Sequence, residues 1–163
     1  MIIREILFRG KRLDNGEWIY GSLVSFDNKE KAILKSKSDV YMPNGKNTIS
    51  STDCYKIDPE TVGQYTGFKD KNGNKIFEGD VIVSTNKSKK QMYYITFEKG
   101  SFRANAVPEI KNYLSTRLGY LMTNCTYLDF KHEITGNVFD DKRFLKLVKQ
   151  KEKLKDENSA YQR

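Results

Sequence analysis

Asn-Gly pairs punctuate this chain. Asp14-Asn15-Gly16 stands between Arg12-Leu13 and Glu17-Trp18-Ile19-Tyr20, and Asn72-Gly73 stands between the runs 61–68 and Ile76-Phe77. Asn-Gly reaches the positive φ of a tight hairpin turn at little cost. A chain that places it between aromatic and β-branched runs therefore folds back as adjacent antiparallel strands. Lys99-Gly100 repeats the device between 92–97 and 101–107. These turns predict a chain built of short, sequential antiparallel strands.

The remaining strands follow from residue type. Residues 2–8 alternate loosely and end at Arg9-Gly10. Trp18, Tyr20, Leu23, Val24 and Phe26 predict a second strand with Gly21 as a bend or bulge. Further strands are expected at 32–34, 61–68, 81–83 and 130–138, and residues 35–51 form a long polar loop. Pro108 suits a first helical turn, and Ile110, Leu114 and Leu118 follow at helical spacing, so a short helix is expected there. Asp140 or Asp141 caps a helix to about residue 158, with Phe144, Leu147, Val148 and Leu154 on one stripe. The fold expected is mainly β: a small antiparallel β-barrel over residues 1–140 with a short helix, then a basic C-terminal helix over 141–163.

Only 37% of the residues are hydrophobic, but one Trp, ten Tyr and nine Phe are among them, and large rings fill a lean core efficiently. No apolar run approaches the roughly 18 residues of a membrane span. Met1-Ile2-Ile3-Arg4-Glu5 does not resemble a signal peptide, and two cysteines do not make a disulfide scaffold. These readings predict a cytoplasmic protein with no membrane partner. Of the net charge of +8, half lies in 141–163, where eight Lys and Arg face four Asp and Glu. The basic set is 22 Lys to 7 Arg, and Lys serves as a solvated point charge where Arg would fork onto phosphates and base edges.

Catalytic motifs are scarce. No phosphate loop and no G-x-G-x-x-G occurs. The single histidine, His132, has Asp129 and Glu133 nearby, too few ligands for zinc, and is expected as a partly exposed strand residue. Cys54 and Cys125 show no C-x-x-C spacing, which leaves a dyad of either with His132 open in space alone. Asp70-Lys71-Asn72-Gly73-Asn74 imitates the opening of a calcium loop, yet Lys75 and Val81 replace its Gly and its closing Glu, so the segment reads as a hairpin turn. Glu78 and Asp80 could pair as carboxylates, but Gly79-Asp80 before Val-Ile-Val reads as turn chemistry. Tyr65 and Phe77, flanking the Asn72-Gly73 turn, are expected in the core. No cofactor, no metal and no enzymatic activity are expected.

Three blocks carry a resemblance. Gln64-Tyr65-Thr66-Gly67-Phe68-Lys69-Asp70-Lys71-Asn72-Gly73-Asn74-Lys75-Ile76-Phe77-Glu78-Gly79-Asp80 resembles the central signature of the YopX family of bacteriophage and prophage proteins. Residues 4–12 with Gly16-Glu17-Trp18-Ile19-Tyr20-Gly21 are similar to its N-terminal signature, and Ile134-Thr135-Gly136-Asn137-Val138-Phe139-Asp140 to its closing strand. Phe68 stands where Leu is expected. The resemblance implies an SH3-like β-barrel and a phage accessory context, and it brings no catalytic residues.

The function expected is non-catalytic binding that occludes or regulates a host or phage protein, a defence nuclease for example. Tyr combines apolar contact area with a polar tip, and Tyr41-Met42 in the 35–51 loop is the contact singled out. The alternative is a nucleic-acid binding module. Lys87, Lys89 and Lys90 crown one hairpin, and Lys142, Arg143, Lys146, Lys149, Lys151, Lys153 and Lys155 load the C-terminal helix.

Overall fold

The computed structural model describes residues 5–27, 29–35, 53–85, 90–107, 115–117, 131–142, 144–146 and 149. Eleven strands are described: β1 Phe8–Lys11, β2 Trp18–Ser25, β3 Lys31–Lys35, β4 Asp53–Ile57, β5 Gly63–Lys69, β6 Lys75–Phe77, β7 Asp80–Thr85, β8 Lys90–Glu98, β9 Ser101–Ala106, β10 Ser115–Arg117 and β11 Lys131–Asn137. They form two antiparallel sheets, of order β4-β3-β2-β1-β5-β6 and β10-β9-β8-β7-β11. The chain divides within β5 into two compact units, Met1–Gly67 and Phe68–Arg163.

The mainly β, antiparallel reading holds, but the described strands make no closed barrel. In the first unit, β4 returns to the end of β1, where Arg12 bridges Ile57 and the Leu13 amide donates to the Lys56 carbonyl. One isolated bridge is not a ladder, so this sheet stays open. Its core is Ile19, Ile33 and Ile57, with Phe8, Leu23, Tyr55 and Val62 packed around them.

Two glycines read as an ending and a bend do something else. Gly10 lies inside β1, where an added Cβ would stand 2.5 Å from Ile57 Cδ1, and Gly21 lies inside β2, where it would stand 2.0 Å from the Leu34 carbonyl oxygen. Neither position has room for a side chain because another segment occupies the space, and β1 runs Phe8–Lys11 through Gly10. The polar stretch before β4 hid that strand altogether: Asp53-Cys54-Tyr55-Lys56-Ile57 buries Ile57 and exposes Cys54 and Lys56.

In the second unit, β7 lies inside the sheet between β8 and β11. Asp-Val-Ile-Val-Ser is buried along its whole length because both faces are covered. Ile82 joins Ile76, Tyr93, Ile95, Ala104 and Ala106 on one face, while Val81 joins Tyr94, Val107 and Val138 on the other. Lys99 and Gly100 both adopt positive φ, as a tight turn between β8 and β9 requires. The expected helix after Pro108 does not reach Leu118: residues 115–117 form β10, paired with β9, and Ile110, Leu114 and Leu118 lie outside the described residues. Edge pairing with β9 supplies hydrogen bonds that outweigh the helical spacing. The Leu145 amide donates to the Asp141 carbonyl, residues 142, 144–146 and 149 are helical, and Phe144 packs against the Val81 cluster. Leu147, Val148 and Leu154 lie outside the described residues. Tyr65 and Phe77 are buried as expected.

Candidate binding surfaces

The Asn15-Gly16 turn sets β1 against β2 so that Lys11 faces Trp18 and Arg9 faces Tyr20. Alternation along both strands puts these four side chains on the face opposite Ile19. The Arg9 guanidinium lies 4.7 Å and the Lys11 ammonium 5.4 Å from the Trp18 ring centroid. Arg9 is buried, Trp18 and Lys11 are half-buried, and Tyr20 is 46% exposed. Cations on an indole face hold the ring in place, which leaves Tyr20 as a supported aromatic contact.

A second cluster adjoins the turn. The Arg12 guanidinium stacks 4.3 Å from the Tyr55 ring centroid and hydrogen-bonds the Asp14 carboxylate through Nε at 2.8 Å. That bond holds the Asp14 carboxyl below its usual range and pushes Arg12 up. Leu13, Asp14, Cys54, Tyr55 and Lys56 line an open depression of about 330 Å³, and Leu13 is exposed. The sequence reading missed both clusters. The signal was present: Arg9/Lys11 and Trp18/Tyr20 each repeat at period two on either side of an Asn-Gly turn, which pairs them by register.

The second unit accounts for the motifs that imitated chemistry. Asp70 is buried, and its carboxylate accepts from the Asn72 and Asn74 amides at 2.8 and 2.9 Å, from the Asn74 side chain at 3.1 Å and from the Ile134 amide at 3.3 Å. Burial alone would raise its pKa, and the hydrogen bonds outweigh it to lower it. The calcium-like segment is a turn latched to β11, where the Lys71 amide donates to the His132 carbonyl at 2.9 Å and Lys71 Nζ pairs with Glu133 at 2.6 Å. Asp80 accepts from the Phe77 amide at 2.8 Å, so it holds its own turn.

His132 is not partly exposed: only 6% of its surface is accessible, and neither ring nitrogen has a hydrogen-bond partner. Ser84, directly opposite on β7, is buried with its hydroxyl in the same condition. Burial holds the His132 pKa below its ordinary value. Cys54 is an exposed thiol, and Cys125 lies outside the described residues. Among the described residues no three His, Cys, Asp or Glu gather as metal ligands, and no helix is long and apolar enough to cross a membrane.

Of the contact residues taken from the sequence, Tyr41, Met42, Lys87 and Lys89 lie outside the described residues. Lys90, Lys146 and Lys149 are described and exposed. Lys90 faces Thr85 across the β7–β8 ladder, and Lys131 faces the same Thr85 across the β7–β11 ladder, so one rung carries two exposed lysines.

A family model described as YopX protein matches residues 7–146. No curated protein matches the sequence. Among solved structures, the crystal structure of protein EF1440 from Enterococcus faecalis is similar, with a TM-score of 0.45 and 20% identity over 82% of this chain and 93% of that one.

Proposed function

The chain belongs to the YopX family, and from that premise we propose that it is a non-catalytic accessory protein of a phage or prophage. In this reading it acts in the host cytoplasm by binding and occluding a host or phage protein, a defence component for example. The C-terminal helix read from the sequence after Asp141 belongs to this proposal as well. The observation that carries it is the supported aromatic face of the first unit: Tyr20 exposed beside a Trp18 ring held by Arg9 and Lys11, with Arg12 stacked on Tyr55. Trp, Tyr and Arg are the residues that dominate protein hot spots. Residues 1–67 hold ten Lys and Arg against nine Asp and Glu, a balance that suits a protein partner better than a polyanion.

The test is capture of the full chain with its partner from bacterial lysate treated with nuclease, alongside Tyr20→Ala and Leu13→Ala. Both side chains are exposed, so both variants keep their folding stability. A stoichiometric protein partner that survives nuclease and is lost with Tyr20→Ala is expected. Recovery of nucleic acid alone, or capture indifferent to both substitutions, overturns the proposal.

A further inference from the structure

Two lysine sets far apart in sequence belong to one face of the second unit. On β7, Val81, Val83 and Thr85 alternate onto the face opposite Ile82 and Ser84. Val81 and Tyr94 share that face in a cluster with Val107 and Val138, and Phe139 and Phe144 pack against this cluster, which brings the helical residues after Asp141 to it. Two rungs along the same face, Thr85 is flanked by Lys90 on β8 and Lys131 on β11. These lysines stand two strand spacings apart, roughly 10 Å. Lys142, Lys146 and Lys149 are exposed at i, i+4 and i+7, a single helical stripe.

Asp140 and Asp141 precede the stripe, and the described lysines of the face outnumber its described carboxylates. Glu133 is the one carboxylate on the adjoining rung with Val83 and Met92, and Lys71 neutralises it at 2.6 Å. Residues 68–163 carry 19 Lys and Arg against 12 Asp and Glu, nearly all of the chain's net charge. Among the described apolar residues of the face, Val81, Val83 and Tyr94 are buried and Met92, Phe139 and Phe144 half-buried, so none of them stands fully exposed among the lysines. The described charges of this face are dispersed lysines with no fully exposed apolar side chain among them, a surface that fits a repeating anion and reads no base sequence.

We infer that this face binds the phosphate backbone of nucleic acid without sequence preference, an activity separate from the protein contact of the first unit. Lys90 and Lys131 supply one pair of phosphate contacts, and the Lys142, Lys146 and Lys149 stripe supplies the rest. Bound phosphates displace condensed counterions, so affinity falls steeply with salt.

The experiment is a salt titration of the full chain with a fluorescent 20-base-pair DNA duplex, followed by fluorescence anisotropy. The variants are Lys90→Gln/Lys131→Gln, Lys142→Gln/Lys146→Gln/Lys149→Gln, and two controls. Lys99→Asn removes one charge at the other end of β8, and Tyr20→Ala removes the aromatic contact of the first unit. Each lysine that contacts phosphate contributes about 0.9 to the slope of log K against log salt, so the double variant flattens it by about 2. The stripe variant flattens it further, and neither control changes it. Absence of salt-steep binding, equal slopes in all variants, or binding to phosphatidylserine vesicles but not to DNA overturns the inference. Loss of DNA binding with Tyr20→Ala overturns it too, and loss of the captured protein with Tyr20→Ala alone bears only on the first-unit proposal.

Discussion

The side-chain amide of Asn137 donates to Asp80 Oδ1 at 3.3 Å, across 57 positions of sequence and inside the core of the second unit. Asp80 Oδ2 also holds the Phe77 amide, and Asn137 Oδ1 holds the Phe139 amide at 2.9 Å. The Gly79 carbonyl accepts from the Val138 amide beside them. Two of the blocks that resemble the family's signatures thus meet in one clasp, in which Asp80 and Asn137 hold β7 against β11.

Asp80→Ala strands a buried backbone amide and a buried side-chain amide. An unsatisfied buried group costs about 1–3 kcal/mol, so the variant loses about 2–4 kcal/mol in urea denaturation. Asn137→Ala loses less, and the double variant loses less than the sum because the two residues share a bond. Strict additivity would break the clasp argument.

Gly21→Ala places a methyl 2.0 Å from a backbone oxygen of β3, and neither strand can yield without losing the Ser22–Leu34 register. A destabilisation of about 3 kcal/mol is expected, at the upper end for overpacking. Gly136→Ala, with nothing within 4 Å, changes stability by no more than about 0.5 kcal/mol. Melting temperatures of the pair decide it, and equal values would refute the close approach.

His132 is buried neutral, with a pKa lowered by desolvation. Because the unfolded chain takes up this proton first, unfolding free energy rises with pH in that window. The stability is present above the unfolded value of about 6.5 and is lost as pH falls below it towards the folded pKa. Asp70, also lowered, is lost only below about 3.9, so the two windows separate. The neighbouring strand and loop bring Ser84, Asp70 and Lys71, and none hydrogen-bonds the ring. Denaturation curves between pH 5 and 8 show the slope, and His132→Phe removes it. A wild type with flat stability across that range would contradict the burial.

Phe77→Ala opens a cavity where the ring is 3% exposed and costs about 3–5 kcal/mol. Calorimetry of the soluble variant measures it, and an unchanged transition would place Phe77 outside the core.

Local chemistry was legible in the chain because it acts between near neighbours. Gly73 and Gly100 reach positive φ in tight turns at little cost, and the Val81-Ile82-Val83 run needs cover on both faces. Hairpins, the buried strand at 81–83 and the antiparallel class follow from that alone. Asp70 was identified as a turn residue on the same basis, and the structure adds its hold on Ile134. Gly10 and Gly21 were misread because a glycine that makes room for Ile57 or Leu34 has the same sequence as one that turns a chain. β4 and β10 went unseen because their residues have weak local preference, and partners on β3 and β9 decide their pairing. The same holds for function. Lys90 and Lys131 are 41 positions apart, and only two registers through Thr85 make them neighbours. Period and turn type are properties of a few consecutive residues. Register, close approach and shared faces depend on which distant strands pair, and only the tertiary structure determines that.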